Sequence, residues 1–299
     1  MRVAIIGLGL IGGSIAKDLR RTGFATEIIG VDSNPAHLKE AIELGIADSG
    51  MELEVAVKKA DLVVLAIPVD KILNLLPTVL DQINPATTVT DVGSAKRVIS
   101  EAVEGHPNRG NFVPAHPMSG TENSGPMAAI EGLFEGKISI ICDQEKSRPQ
   151  HIALIEKMYQ SLGMSIAYMS SDEQDHSTAF VSHLPHATAF ALANAVLDKE
   201  DRSIIFDLAS GGFNSTVRLA KSSSKMWAPI FIQNRDYMVD SLRVYIKHLE
   251  ELKNSLEVKD DKKMVSLIKS ANRIREVLNG ENPHLTKNEE TIVKLYTKK

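Results

Sequence analysis

Short apolar runs alternate with amphipathic stretches through the first half of this chain. Strands are expected at residues 3–6, 28–31, 62–67, 87–92, 112–114 and 138–142. The continuous apolar run 62–67 is of the kind found in parallel strands buried on both faces. Between them, residues 35–44 read as a helix, with Asn34 as N-cap and Gly45 just past the end. Residues 70–82 read as a second helix, and a third is expected to start near Ala95. Strands alternating with helices predict an α/β fold with a doubly wound, mostly parallel sheet. Beyond about Tyr168 the spacing turns helical, over 172–197, 227–256 and 262–278. Residues 188–196 are alanine-rich and apolar nearly all round, so that helix is expected to be buried on most faces. The pattern therefore divides the chain into an α/β part, 1–168, and an all-helical part, 169–299. A buried helix in a helical half often packs against a second subunit, so a homodimer through the helical part is expected. The tail from Glu281 is polar and reads as a short extension or frayed helix.

The first apolar run meets a glycine cluster, Gly7-Leu8-Gly9-Leu10-Ile11-Gly12, which opens into an amphipathic segment ending at Arg20-Arg21. Gly7 would permit a tight turn, Gly9 would let backbone approach a pyrophosphate, and Gly12 would let helix lie close on strand. The helix N-terminus, with Leu10 and Ile11, would offer unpaired N–H groups to phosphates. A bare glycine motif is a weak signal, and a ligand-free strand–turn–helix would share it. Here a strand pattern precedes it, a helix pattern follows, and a second apolar run ends in Asp32, twenty residues after Gly12. A carboxylate there accepts bonds from ribose hydroxyls and repels a 2′-phosphate, and Ser33-Asn34-Pro35 offer no arginine to bind one. The expected cofactor is NAD rather than NADP.

Composition narrows the class without changing this outline. At 299 residues the chain is long enough to bury a sizeable core without disulfide or metal. Its single cysteine, Cys142, cannot form an internal disulfide, which fits a reducing compartment. A net charge of −4 gives no reason to expect nucleic acid or a membrane surface as partner. No apolar stretch reaches the roughly 18–20 residues of a spanning helix, and the N-terminal run is better explained by its glycines than as a signal peptide. A cytoplasmic protein is expected.

Ligands of doubly wound sheets sit beyond the carboxyl ends of the strands. The glycine cluster, Asp32, Pro68, Ser94 and His116 all fall just after expected strands, which gathers them on one edge. His116 opens a polar, glycine-punctuated loop to Gly125, and its imidazole could take a proton at neutral pH. In Ser182-His183-Leu184-Pro185-His186 two histidines share a helix face. They read either as an imidazole pair facing a cleft or as a polar helix face; no third ligand stands at a metal-binding spacing, so no metal is expected. Pro185 could kink that helix. The segment 210–218 reads as a turn into a helix, with Arg218 in its first turn. There a carboxylate ligand would offset the unfavourable helix dipole; a surface arginine is the alternative. Trp227 reads as core packing.

Taken together, GLGLIGGS at the start, DVGSAK at 91–96, HPMSGTE at 116–122, SHLPHA at 182–187 and the GGF…R segment at 211–218 resemble the prephenate dehydrogenase family. The resemblance runs in order to about Leu278 and includes arogenate and cyclohexadienyl dehydrogenases of tyrosine biosynthesis. It implies an oxidative decarboxylation. Hydride leaves the hydroxyl-bearing ring carbon for the nicotinamide, the hydroxyl proton is taken up, and the ring carboxylate departs as carbon dioxide. By resemblance, His116 would accept the hydroxyl proton and Ser94 would orient the hydroxyl, the imidazole or the nicotinamide. Arg218 would bind a substrate carboxylate. His183, His186, Ser182 and Thr121 would line the pocket, and Glu122 would tune one end of it. Relatives with an appended regulatory or chorismate mutase domain are known, and this chain is expected to carry neither. A β-hydroxyacid dehydrogenase is disfavoured because the first lysine after the histidine pair is Lys199, at the helix end. A non-catalytic NAD-sensing protein would leave His116 and Arg218 idle. Prephenate and arogenate, keto against amino at the side chain, are not separated by sequence.

Overall fold

In the computed structural model, residues 1–199 and 211–279 are described. Ser210 and the tail from Glu281 lie outside them. Packing divides the chain into two compact units, Met1–Arg235 and Asp236–Lys299.

Among the described residues, six parallel strands form the main sheet of the first unit. They are β1 (Arg2–Ile6), β2 (Glu27–Val31), β3 (Ser49–Gly50), β4 (Leu62–Leu65), β5 (Thr88–Asp91) and β6 (Phe112–Val113). Their spatial order is β3-β2-β1-β4-β5-β6, every neighbouring pair parallel. The intervening helices are α1 (Leu10–Arg21), α2 (Pro35–Glu43), α3 (Leu53–Lys59), α4 (Val69–Gln82) and α5 (Arg97–Ala102). Alternate side chains serve two cores, as the two-residue strand period requires. Val3 and Ile5 of β1 join one; Ala4 and Ile6 join the other. Ile6 pairs with both Val31 and Leu65, so three strand ends are level and chain order reverses between β1 and β4. That reversal is where ligands of such sheets bind.

The α/β fold is as expected, but residues 138–142 belong to a second sheet. It joins β7 (Ala115–Pro117), β8 (Ile138–Cys142) and β9 (Ser165–Met169), with β7 antiparallel and β9 parallel to β8. His116 therefore lies within a strand, opposite Ile140, and not in the loop expected for it. A strand of three residues ending in proline carries no readable alternation. Helix α6 (Pro149–Ser161), together with β3, α3 and β9, also escaped the pattern.

The helix expected over 172–197 comprises α7 (Ser171–Thr178), a π-helical turn (Ala179–His183) and α8 (Leu184–Leu197). A reciprocal cap between Ser170 and Glu173 starts α7. The π turn precedes Pro185, which lacks an N–H and crowds the carbonyl four residues back. Only Ala189 of α8 is buried, and Leu192 and Leu197 are exposed, so this helix is not buried on most faces within the chain. The expected helix at 227–256 is two, Ser224–Gln233 and Arg235–Glu257, interrupted at Asn234. Asn234 is 1% exposed, its side chain drawn inward to hydrogen bonds. In the second unit, the stretch expected over 262–278 is likewise broken, into Asp261–Asn272 and Ile274–Leu278.

Gly12 shows how tightly α1 seats on the sheet. A Cβ there would sit 2.0 Å from the Gly7 carbonyl oxygen and 3.0 Å from the Ala66 Cβ. Because backbone is the obstacle, Gly12→Ala is expected to destabilise the protein by at least about 1–3 kcal/mol. A lowered urea midpoint would show this; a midpoint equal to wild type would contradict the close packing.

Candidate active site

The nucleotide side is built by backbone. Gly7 adopts φ +95°, and a Cβ on it would meet the Ala66 carbonyl oxygen at 2.4 Å. Gly9 is the N-cap of α1, and its Cβ direction is open as far as the Gly125 nitrogen at 3.9 Å. The amides of Leu10, Ile11 and Gly12 open the helix, where N–H groups lack intrahelical partners. Asp32 follows β2 directly, accepting the Leu8 amide at 3.0 Å on Oδ2 and the Asn34 amide at 2.9 Å on Oδ1. Each oxygen keeps a further lone pair. The carboxylate lines a cavity of about 820 Å³ together with Gly7, Ile67, Pro68, Lys71 and Asn74. Such a pocket fits the adenosine end of a dinucleotide.

The chemical side begins at the carboxyl end of β5. Asp91 is fully buried and ion-pairs with Lys96, also fully buried. Burial pushes the Asp91 carboxyl above its ordinary range, while the ammonium and the amides of Gly93 and Ala115 pull it back. The Lys96 and Arg97 amides donate to Asp175 of α7 at 2.7 and 3.0 Å. Between these ties, the Ser94 carbonyl accepts from Gln174 Nε2 at 3.0 Å, and the buried Ser94 hydroxyl has no partner among the described residues. Gln174 Nε2 also lies 3.0 Å from His116 Nδ1. Burial first, then Lys96 and His183, push the His116 imidazole well below its usual pKa, so it is neutral at neutral pH.

The other predicted residues form a chain of neighbours leading from His116. His183 is fully buried, with Nδ1 3.0 Å from Asn234 Nδ2, and burial with the nearby His186 lowers its pKa to about 4. Half-buried His186 donates from Nδ1 to the Ser182 carbonyl at 2.9 Å and stacks on Trp227 at 3.5 Å between centroids. Trp227 is thus more than core packing, since it also meets the His183 ring edge-on. Burial lowers the His186 pKa, and Arg218 is close enough to add to the effect. Arg218 pairs with Glu122 at 2.9 Å. It does not sit in the first turn of a helix: helix Gly211–Val217 precedes it, and it opens a 3-10 turn, Arg218–Lys221. Thr121, beside Glu122, caps the Asn123 amide at 3.2 Å. Lys96, Gln174 and Asn234 were missed by sequence reasoning. A buried amide or ammonium carries no periodic signal; the capping pair Ser170 and Glu173 is a local signal for the start of the helix that carries Gln174, and it went unread.

Comparison with known proteins now bears on this geometry. A family model described as the prephenate dehydrogenase nucleotide-binding domain matches residues 15–168, and one described as the prephenate dehydrogenase dimerization domain matches 170–270. The chain belongs to the prephenate dehydrogenase family. Among relatives, prephenate dehydrogenase of Bacillus subtilis is 31% identical over 92% of this chain and 76% of its own length. Cyclohexadienyl dehydrogenase of Zymomonas mobilis is 28% identical over 94% of this chain and 97% of its own. Among solved structures, prephenate dehydrogenase from A. aeolicus, in complex with hydroxyphenyl propionate and NAD+, superposes with a TM-score of 0.84. It is 32% identical over 93% of this chain and 98% of that one. Synechocystis arogenate dehydrogenase gives a TM-score of 0.75 at 28% identity, covering 93% and 100%. The two family models together span the sheet-bearing and the helical parts of the chain.

The buried Asp91–Lys96 pair predicts an asymmetric mutational response. Removing one partner of a buried pair leaves an uncompensated charge and costs about 3–5 kcal/mol. Lys96→Met should therefore destabilise the protein strongly, and Asp91→Asn added to it should restore part of the loss. Urea melts of both variants check this; a single variant as stable as the double would contradict it.

Proposed function

We propose that the chain catalyses the NAD-dependent oxidative decarboxylation of prephenate to 4-hydroxyphenylpyruvate, as a homodimer with no metal. The observation that carries the reading is His116, buried and neutral, joined through Gln174 to a serine whose hydroxyl has no partner among the described residues. Residues 1–168 would form the nucleotide-binding part and residues 169–299 the substrate-binding, dimer-forming part. The family's dimerization-domain model and the exposed Leu192 and Leu197 of α8 support the dimer. NAD+ bound at the glycine turn would supply the hydride acceptor. The open space in front of Gly9 and the lone pairs of Asp32 favour it.

On this reading His116 takes the substrate hydroxyl proton on Nε2 as hydride leaves the same carbon. The ring then loses its carboxylate as carbon dioxide, and the phenolic oxygen regains the proton. Ser94 Oγ orients the hydroxyl. Arg218 binds a substrate carboxylate, which competes with Glu122 for the guanidinium. His183, His186, Ser182 and Thr121 shape the pocket wall. Arogenate is the second reading, favoured by the nearly full-length match to a cyclohexadienyl dehydrogenase.

Steady-state assays of the pure protein with prephenate and with arogenate, each with NAD+ and NADP+, test the proposal. Turnover of prephenate with NAD+ is expected; no turnover of either substrate would overturn it. His116→Asn should lower kcat by roughly 10²–10⁴-fold, the range for a general base, and near wild-type turnover would remove the histidine from that role. The base acts unprotonated and its pKa is lowered, so the acidic limb of kcat/KM should lie below pH 6.5. For the cofactor, Asp32→Ala should narrow the preference for NAD+ over NADP+ by weakening NAD+ and admitting the 2′-phosphate; an unchanged ratio of the two kcat/KM values would contradict the carboxylate's part.

A further inference from the structure

One ring nitrogen of His116 is left for the substrate, and the other answers to Gln174. The Gln174 side chain is fully buried, its Nε2 3.0 Å from His116 Nδ1, 3.0 Å from the Ser94 carbonyl and 3.3 Å from Thr178 Oγ1. Its Oε1 is buried without a partner among the described residues. A neutral imidazole has one donor and one acceptor nitrogen. With the amide nitrogen on Nδ1, the ring proton must sit on Nε2, which is then a donor and no base. Turning the amide by half a rotation places Oε1 on Nδ1, which must then carry the proton, and the Nε2 lone pair is released. That turn gives up the bond to the Ser94 carbonyl, so neither orientation satisfies every group.

We propose that Gln174 is the positioning residue that sets the tautomer of His116, the oxygen-inward amide being the one that makes the histidine a base. This rests on the reading of His116 as the base. The charged and titratable groups facing the ring are Lys96 from the turn after β5, itself paired with Asp91, and His183 from the π turn. Both oppose an imidazolium, and the Gln174 amide is the group placed within hydrogen-bond distance of one particular ring nitrogen. In the oxygen-inward state the substrate O–H bond breaks toward Nε2 while Nδ1–H stays in place. The hydride pair passes to NAD+, and the pair from the broken carbon–carboxylate bond completes the aromatic ring. The proton then returns from Nε2 to the phenolate oxygen.

Nitrogen-15 NMR of the His116 ring, assigned by its loss in His116→Asn, reads the tautomer without turnover. The unliganded protein should show Nε2–H, and adding NAD+ with 4-hydroxyphenylpyruvate or tyrosine should move the proton to Nδ1. Gln174→Met should give a mixed ring in the unliganded protein and lower kcat by about 10–100-fold, the scale on which a lost outer-shell partner costs activity, with KM for NAD+ little changed. A single Nε2–H tautomer in Gln174→Met, or in the wild-type ternary complex, would overturn the proposal. If Gln174→Met does not fold, the wild-type comparison still decides. Failure of both phenols to bind would count against the function, while the unliganded comparison of wild type and variant still judges Gln174.

Discussion

The turn that follows β5 is held at both ends by buried carboxylates, and the site's geometry depends on that double tie. Asp91 secures its start through the Gly93 amide and the Lys96 ammonium. Asp175 secures its end through the amides of Lys96 and Arg97. An ammonium with no exposure is costly to bury, and it is stable here only while its carboxylate stays in place. The six-residue loop of chain from Asp91 to Lys96 therefore has little freedom, and Ser94 is presented at one position. Because Asp175 and Gln174 are adjacent on α7, the helix that caps this turn also reaches His116.

A short helix thus sets the register between a sheet edge and a helical layer. Gln174 touches Ser94 and His116, Asp175 caps α5, and Asn234 donates to the Asp175 carbonyl while meeting His183. The interruption at Asn234 is the backbone's accommodation of that inward-turned amide. Each polar group is tied to an element from a different part of the chain, so a displacement of α7 would move Ser94, His116 and His183 together.

The main sheet and the dinucleotide turn were legible because their determinants are local. Gly7 is required by its own positive φ and Gly12 by the Gly7 carbonyl five residues earlier, and Asp32 directly follows the strand that holds the apolar run 28–31. His116, Ser94 and Arg218 were legible as residues but not as geometry. His116 sits in a strand too short to show alternation, and Arg218 follows a seven-residue helix where a turn was expected. Gln174 and Asn234 were illegible for a different reason. Their importance lies in what they touch across 58 and 51 residues of sequence, and no spacing rule encodes that. The apolar breadth of α8 reads as burial on most faces, but Ala189 alone of that helix is buried and Leu192 and Leu197 are exposed.

A base of lowered pKa suits the proposed chemistry better than a strong one. The substrate hydroxyl is a poor acid at first and becomes acidic only as hydride departs, so the base needs to accept late. The phenolate formed on aromatisation has an ordinary pKa of about 10, and an imidazolium that burial and Lys96 make strongly acidic returns the proton readily. The same burial that makes an unpaired charge costly thus keeps His116 neutral before and after the reaction. Lys96 contributes from beneath, without having to touch the substrate. What burial cannot do is choose between the two ring nitrogens, because desolvation acts on the imidazolium as a whole. That choice needs a directional contact, and a buried amide whose two ends differ only as donor and acceptor supplies it.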